Sequence, residues 1–538
     1  MKKISPFIWM LTIHLISIDA YTKDFIVSSY GKKGKEVTGT IIDPFDAQYA
    51  FDGANGRIRP GDRILMRGGT YDPLVVRLSG SSQSIGTFPE WKGTQIHILP
   101  YDGERVIIES SAMGSKTTGI DKCLQIGDYD NGRFTGGEDV WVWNLEVTSA
   151  NPNRIRTESG WVGATSGVWI YAKRCRLINC LVYDNPGVGV YSSVVGRESR
   201  IYGNIIFSNG YDDKDRGHGH NIYIQNEEGA GRKIVKHNIL WKAANMGYQS
   251  YASFKTPSRG ADISCIENIS FNNGTISHTR KGVYQILVGG YSPVNNAEVD
   301  GNHVYNDNPG TGIKIGYSEQ NTNTIYRNLV AKNNVIHNAS FIVENPRDIR
   351  SFKNNKIIFV GTKMTLSHFD HYPLSATWDQ NEYYDGIDKF QYRVLTSDPD
   401  GEAPWNHPVE RKYYDFTEWR ENLGIDRNAQ YSADKPKNIV KIFKNEMELG
   451  RAHIVVHNFE GLDEAQIDLS AVLEKGQEYK LRDVQNLFGE VLISGKYNGS
   501  LLTVPLDLDV ATPTKGNLRT ISHTHRRFNV FLVEKMEK

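Results

Sequence analysis

Cysteine is scarce in this chain, with four residues among 538, at Cys123, Cys175, Cys180 and Cys265. So few, so scattered, exclude a disulfide scaffold and a Cys-rich zinc site, and read as small buried hydrophobes with room for one bridge. A charge of one sign is missing as well: 62 Lys and Arg face 62 Asp and Glu. The whole chain therefore announces neither nucleic acid nor an anionic membrane as a partner. Apolar runs of membrane length are absent too. The opening MKKISPFIWMLTIHLISIDA sets Lys2 and Lys3 before an apolar run from Phe7 to about Ile18. That run is too short to span a bilayer and has the plan of an export signal over residues 1–20, cleaved near Ala20. The expectation is a secreted or periplasmic protein with no stable membrane insertion after cleavage.

Long stretches of helical spacing are also lacking; what recurs instead is asparagine before a short apolar run. WNLEV at Asn144, NCLVY at Asn179, NIIFS at Asn204, NILWK at Asn238, NISFN at Asn268, NHVYN at Asn302, NVIHN at Asn334 and NKIIF at Asn355 form one series. A second series falls between them: GVWIY at 167–171, GVGVY at 187–191, NIYIQ at 221–225, GYQSY at 247–251, GVYQI at 282–286 and GIKIG at 312–316. Each period thus holds at least two short strands joined by turns, which is the signature of a solenoid. An amide stacked on the amide one coil above satisfies buried donors and acceptors at the bend, which explains Asn where Val would otherwise do. The fold class expected is all-β: a right-handed parallel β-helix followed by a small C-terminal β-sandwich.

The boundaries follow from where the pattern starts and stops. Residues 21–57 precede the repeat and read as an N-terminal cap, since a solenoid end must hide its core and open strand edge. The β-helix is expected over 58–360. Residues 361–436 lose the repeat and read as a connector, with one short helix in DFTEWRENLG at 415–424. Over 437–538 the segments RAHIVVHNFE, AQIDLSAVL, EYKLRDVQN, LLTVPLDL and FNVFLVEK alternate at sandwich spacing.

On these residues a resemblance can be stated. IRPGDRILMRGGTY, residues 58–71, looks like the opening turn of secreted right-handed β-helix proteins of the pectate-lyase-like superfamily. GHGHNIYIQNEEG followed by VKHNILWKAANMGYQSYAS is similar to a coil pair of bacterial β-helix repeat proteins. The C-terminal part resembles small β-sandwich domains appended to secreted carbohydrate-active enzymes. The resemblance implies the fold over roughly residues 25–360 and leaves the reaction open, because one fold hosts lyases, hydrolases, esterases and binding proteins.

Strand alternation then sorts the side chains. Val168, Ile170, Val188, Val190, Ile222 and Ile224 are expected inside the coil. Trp169, Tyr171, Tyr191, Tyr223, Gln225, Gln249, Tyr251 and Lys314 are expected outside, as an aromatic ladder suited to stacking against the rings of a polysaccharide or oligosaccharide. Between residues 151 and 290 there are 17 basic against 10 acidic residues, which suits an anionic, uronate-containing glycan.

The stretch GYDDKDRGHGHNIYIQN, residues 210–226, crowds titratable groups beside this ladder. Two chemistries fit. In β-elimination, His218, His220 or Tyr251 takes the proton next to the carboxylate, while Lys255, Arg259 or Arg216 neutralises that carboxylate. In hydrolysis, Asp213 and Asp215 are the available acids. Strands that expose Tyr, Gln and Trp but no acid favour a polysaccharide lyase. A glycoside hydrolase and a non-catalytic polysaccharide-binding or adhesion protein remain the alternatives. No cofactor is required by either chemistry, although Asp212, Asp213 and Asp215 form a possible calcium site. Asp212-Asp213 and Gly217-His218-Gly219 resemble the DD and GHG motifs of polygalacturonase-type hydrolases. The spacing fails, because only four positions separate Asp213 from His218 and that family places the two motifs on different coils.

Overall fold

The computed structural model describes residues 23–81, 94–111, 121–130, 133–156, 164–251, 259–280, 282–290, 294–316, 327–344, 349–358, 364–369, 377–384, 389–395 and 410–536. The expected export signal over 1–20 and the candidate Lys255 lie outside them. Short strands stack in parallel, coil on coil, into the three faces of a right-handed parallel β-helix. On the first face Leu177, Ile201, Val235 and Cys265 follow one another in register and point inward. Val182, Ile206 and Leu240 do so on the second face, and Val168, Val190 and Ile222 on the third. These inner rows merge into one apolar core running the length of the solenoid. Burying an aliphatic side chain there contributes about 1.5–3 kcal/mol. All four cysteines are buried and unbridged, so the optional disulfide is not formed.

Asparagine supports the second face as the spacing requires, but with a shifted start. Asn204, Asn238, Asn268, Asn302, Asn334 and Asn355 each pass a side-chain hydrogen bond of 2.8–3.1 Å to the next. The row continues to Asn381, where it ends on the buried Asp426, which also accepts from Trp378, Trp419 and Tyr383. Asn144 and Asn179 do not belong to it. They stand one position earlier, at the left-handed turn, with φ of 52° and 55°. Cys180 occupies the place where the next rung would be, and its backbone N–H donates to Asn204.

The solenoid is longer than the expected 58–360. Asp24–Ser28 pairs in parallel with Arg63–Met66, so the presumed cap supplies the first strand. At the far end Phe390–Leu395 stacks on Met364–Phe369, and Gln430–Ser432 on Glu382–Tyr384. Much of the presumed connector is therefore coil. Its helix, Phe416–Leu423, is fixed by a capping box between Asp415 and Glu418 and stopped by Gly424 at φ 66°. The helix sets Trp419 over the open end of the core beside Trp378.

Residues after about 439 form two antiparallel sheets closing on their own core of Ile454, Ile467, Leu481, Val504 and Phe531. This sandwich covers the second face of the solenoid. There Phe207, Trp241, Phe271 and Tyr305 form an outward stack that meets Phe443, Val455, Val484 and Phe528. Histidines cross the same junction: His303 Nδ1 lies 3.0 Å from His457 Nε2, and His457 Nδ1 lies 3.3 Å from His337 Nδ1. Among the described residues no helix is long and apolar enough to cross a membrane.

Candidate functional site

The third face stays uncovered by the sandwich, and its outward row is Trp169, Tyr191, Tyr223 and Gln249 in successive coils. The turns from the second to the third face rise beside it. One of them is long: Tyr211–Asp212 and Gly217–His218 pair antiparallel, so the crowded stretch of the sequence is a small hairpin with residues 213–216 at its tip. Gly210 and Gly219 hold its two legs at φ of 106° and 86°. A Cβ at Gly219 would come within 2.5 Å of the Gly210 Cα, so the legs close only with glycine there. The base is pinned by Arg154, fully buried, whose guanidinium donates to the carbonyls of Gly210 and Ser208 at 2.6 and 2.5 Å.

Between hairpin and ladder lies a cleft of about 560 Å³, whose lining includes Trp169, Tyr191, Tyr211, Arg216, His218, His220, Tyr223, Asn245, Gln249 and Tyr251. Val188 lines it too, half-buried, rather than pointing into the coil, because its strand begins only at Val190. Among the described residues no carboxylate belongs to that lining.

The two histidines differ. His218 stacks flat on Tyr211, with centroids 5.0 Å apart, and its Nε2 lies 2.9 Å from Asp215 Oδ1. The imidazole holds the Asp215 carboxyl below its ordinary value, with the Arg216 charge helping. An N–H donated to Asp215 leaves the lone pair of this ring on Nδ1. His220 is pushed down to about 3, first by burial and then by the charges of Arg216 and His218, so it is neutral at ordinary pH. Its Nδ1 accepts from the Met246 N–H at 3.4 Å, which places its proton on Nε2.

An amide orders the phenols. Tyr191 Oη donates to Gln225 Oε1 at 3.0 Å, and Gln225 Nε2 donates to Tyr223 Oη at 3.1 Å, which leaves the Tyr223 hydroxyl proton free to point elsewhere. Burial raises the pKa of both tyrosines, against the charge of Arg259 nearby. Gln225 is thus an organiser beneath the ladder, not part of the cleft lining.

Other expected residues fall outside the cleft. Asp212 accepts from Ser277 Oγ, the His278 N–H and His278 Nδ1 at 2.7–2.8 Å, so it ties the hairpin to the neighbouring turn. In the expected calcium set its place is taken by His218: ligand atoms of Asp213, Asp215 and His218 lie within 4.8 Å of one another. Asp213 Oδ2 is buried and has no hydrogen-bond partner. An imidazole and two carboxylates suit calcium poorly, since calcium selects oxygen ligands in larger number. Lys314 is ion-paired with Glu344 at 2.9 Å, and Tyr171 packs on Tyr129 and Phe134. Burial thins the basic excess counted along the sequence only slightly: Arg154, Arg176, Lys233 and Lys242 are buried, but so are Asp184, Asp212 and Asp213. Sequence reasoning passed over Asn245, whose amide donates to the Gly217 carbonyl at 2.6 Å, and Lys122, whose ammonium lies 5.1 Å from the Trp169 ring centroid. Neither contact is signalled by the sequence, since each joins positions more than twenty residues apart.

No family model matches the sequence, and no curated protein matches it. Among solved structures the chain is similar to the GH136 lacto-N-biosidase from Eubacterium ramulus at 12% identity and a TM-score of 0.40, over 71% of this chain and 66% of that one. A rhamnogalacturonan lyase gives 12% and 0.37, over 73% and 79%. A pectate lyase gives 12% and 0.32, over 66% and 78%. The chain thus spans just under two thirds of the first of these proteins, and all three likenesses are distant. The parallel β-helix itself rests on the strand pairing of this chain.

Proposed function

We propose that the protein is a carbohydrate-active enzyme, a polysaccharide lyase that cleaves a uronate-containing glycan by β-elimination. The observation that carries this reading is the cleft lining: two histidines, an arginine and four tyrosines, and no carboxylate among the described residues. Glycoside hydrolysis needs two carboxyl groups flanking the bond. Elimination needs a base, a cation for the substrate carboxylate and a proton for the leaving oxygen.

Each role has a candidate. His218, held through Nε2 by Asp215, has Nδ1 as its basic nitrogen and takes the proton next to the substrate carboxylate. Arg216 faces that carboxylate and stabilises the charge that builds on it. As the bond to the leaving oxygen breaks, Tyr223 supplies its proton; its high pKa keeps the phenol protonated until then. Neutral His220 contributes an Nε2–H donor to the glycan. The aromatic row, with Trp169 and Tyr191 at 4.5 Å and Tyr191 and Tyr223 at 5.4 Å, seats the sugar rings. Export of the protein to the secreted or periplasmic space, where such glycans occur, belongs to the same reading.

The test is incubation of the purified protein with polygalacturonate, alginate, xylan and cellulose, following reducing ends and the ultraviolet absorbance of an unsaturated uronate together. Both signals should rise on an acidic glycan. Reducing ends without absorbance would mean hydrolysis, and binding without either signal would mean an adhesion or binding protein.

A further inference from the structure

An antiparallel hairpin, Asp128–Asp130 with Arg133–Thr135, stands on the third face one coil before the cleft. Its base is fixed by Arg77, which donates to Asp128 at 2.6 Å. It carries two aromatic rings that no core needs: Tyr129 is 54% exposed and Phe134 42%. The pair is in contact, with centroids 4.6 Å apart, and Phe134 meets Tyr171 at 5.2 Å. Tyr171 in turn edges Trp169 at 5.5 Å, so the rings run without a break from the hairpin into the cleft. Exposed aromatic patches that continue a binding cleft are seldom left bare of function.

A cation sits at the joint. Lys122 stands opposite the cleft-lining Ser166 in the ladder, and its ammonium lies 5.1 Å from the Trp169 centroid and 5.9 Å from that of Tyr171. It has no ion pair among the described residues; Asp121 and Asp128 act on it only at longer range. Partial burial lowers its pKa, so it holds its charge less easily than a surface lysine and gains more from an incoming anion. A half-desolvated ammonium over two aromatic faces, without a carboxylate of its own, is an anion site in waiting.

We propose that Lys122, Tyr129 and Phe134 form a second sugar-binding subsite beyond the cleft, in which the rings stack a distal residue of the glycan and Lys122 pairs with its carboxylate. The proposal rests on the reading of the cleft as an acidic-glycan site. It adds a length requirement: the chain must reach past Trp169 to the hairpin. Lys122 touches no reacting atom, so its effect falls on binding and on discrimination against neutral glycans.

The experiment uses the full chain and a ladder of oligogalacturonates and oligomannuronates, each also with its carboxyls reduced to alcohols, with affinity read by calorimetry. Lys122→Gln should weaken binding of long acidic oligomers about tenfold, leave the reduced oligomers unchanged, and be rescued largely by Lys122→Arg. Tyr129→Ala with Phe134→Ala should abolish the gain in affinity from short to long oligomers and leave the shortest binders alone. Equal losses on acidic and reduced oligomers would make Lys122 a packing residue and overturn the proposal. So would unchanged binding by both variants, while the wild type still binds acidic chains. If the wild type binds no acidic oligomer, the functional reading and the subsite fall together. Melting temperatures of the variants separate misfolding from lost contacts, and the hairpin pair, being exposed, serves should Lys122→Gln prove unstable.

Discussion

Acid should release the sandwich from the solenoid, and the buried histidines set the scale. Burial pushes His303 and His337 down to about 3, with the charges of Lys441 and Arg527 adding to the effect, and it holds His457 well below its ordinary value. His453, with Nδ1 2.8 Å from the His237 carbonyl, is likewise held near 3. In the unfolded chain each imidazole returns to about 6.5. Between those values the unfolded state binds protons that the folded state refuses. Stability is therefore greatest above pH 6.5 and falls as pH drops toward 3. Each histidine costs about 1.4 kcal/mol per pH unit in that window, or roughly 2 kcal/mol between pH 7 and 5. Four of them together remove up to about 8 kcal/mol, as much as the whole stability of many domains. The neighbouring Glu267, held near 2 by His237 and Lys236, gives no compensation, and below about pH 4.5 it adds to the loss. Thermal melts at pH 7, 6 and 5 should show a steep loss, and His457→Gln should make that loss shallower. A wild-type melting temperature that is the same at pH 5 and 7, or a variant with an undiminished slope, would refute the reasoning.

Other outcomes follow from single groups. Asp215→Asn removes the carboxylate charge and offers His218 Nε2 an amide that can donate, so the His218 tautomer is no longer fixed, and kcat should fall by about a hundredfold or more with KM little changed; an unaltered pH–rate profile would count against the pair. Asn268→Val leaves the Asn238 N–H and side-chain amide without their acceptor, and urea unfolding should show a loss of about 3 kcal/mol. A calcium chelator should leave turnover intact, given the Asp213, Asp215 and His218 set; loss restored by calcium alone would show that a cation holds the hairpin.

Much of the fold was legible because a solenoid repeats its logic once per coil. Asn238, Asn268 and Asn302 recur because a buried amide row can only be built from amides. The first rungs were misjudged because Asn144 and Asn179 also suit the left-handed turn just before a rung, and sequence spacing does not separate the two uses. The same ambiguity affects the aromatics. Phe207 and Trp241 alternate outward as plainly as Tyr191 and Tyr223, yet the sandwich covers the first pair and leaves the second as the cleft wall. Strand pattern gives direction, and only tertiary packing gives cover. His218 and His220 were visible by their crowding. Lys314 was included for its place in the outward row, which says nothing of Glu344 waiting beside it. Lys122 and Asn245 were invisible, because their contacts join segments far apart in sequence.

The central claim is that the glycosidic bond breaks by elimination at a cleft whose described lining holds no carboxylate. The direct measurement is digestion of an acidic glycan in water enriched in heavy oxygen, with the products weighed by mass spectrometry. Elimination forms the double bond without using water, so the account predicts unsaturated fragments carrying no label from the cleavage. One heavy oxygen incorporated per bond broken would show that water attacks the sugar, and would contradict it.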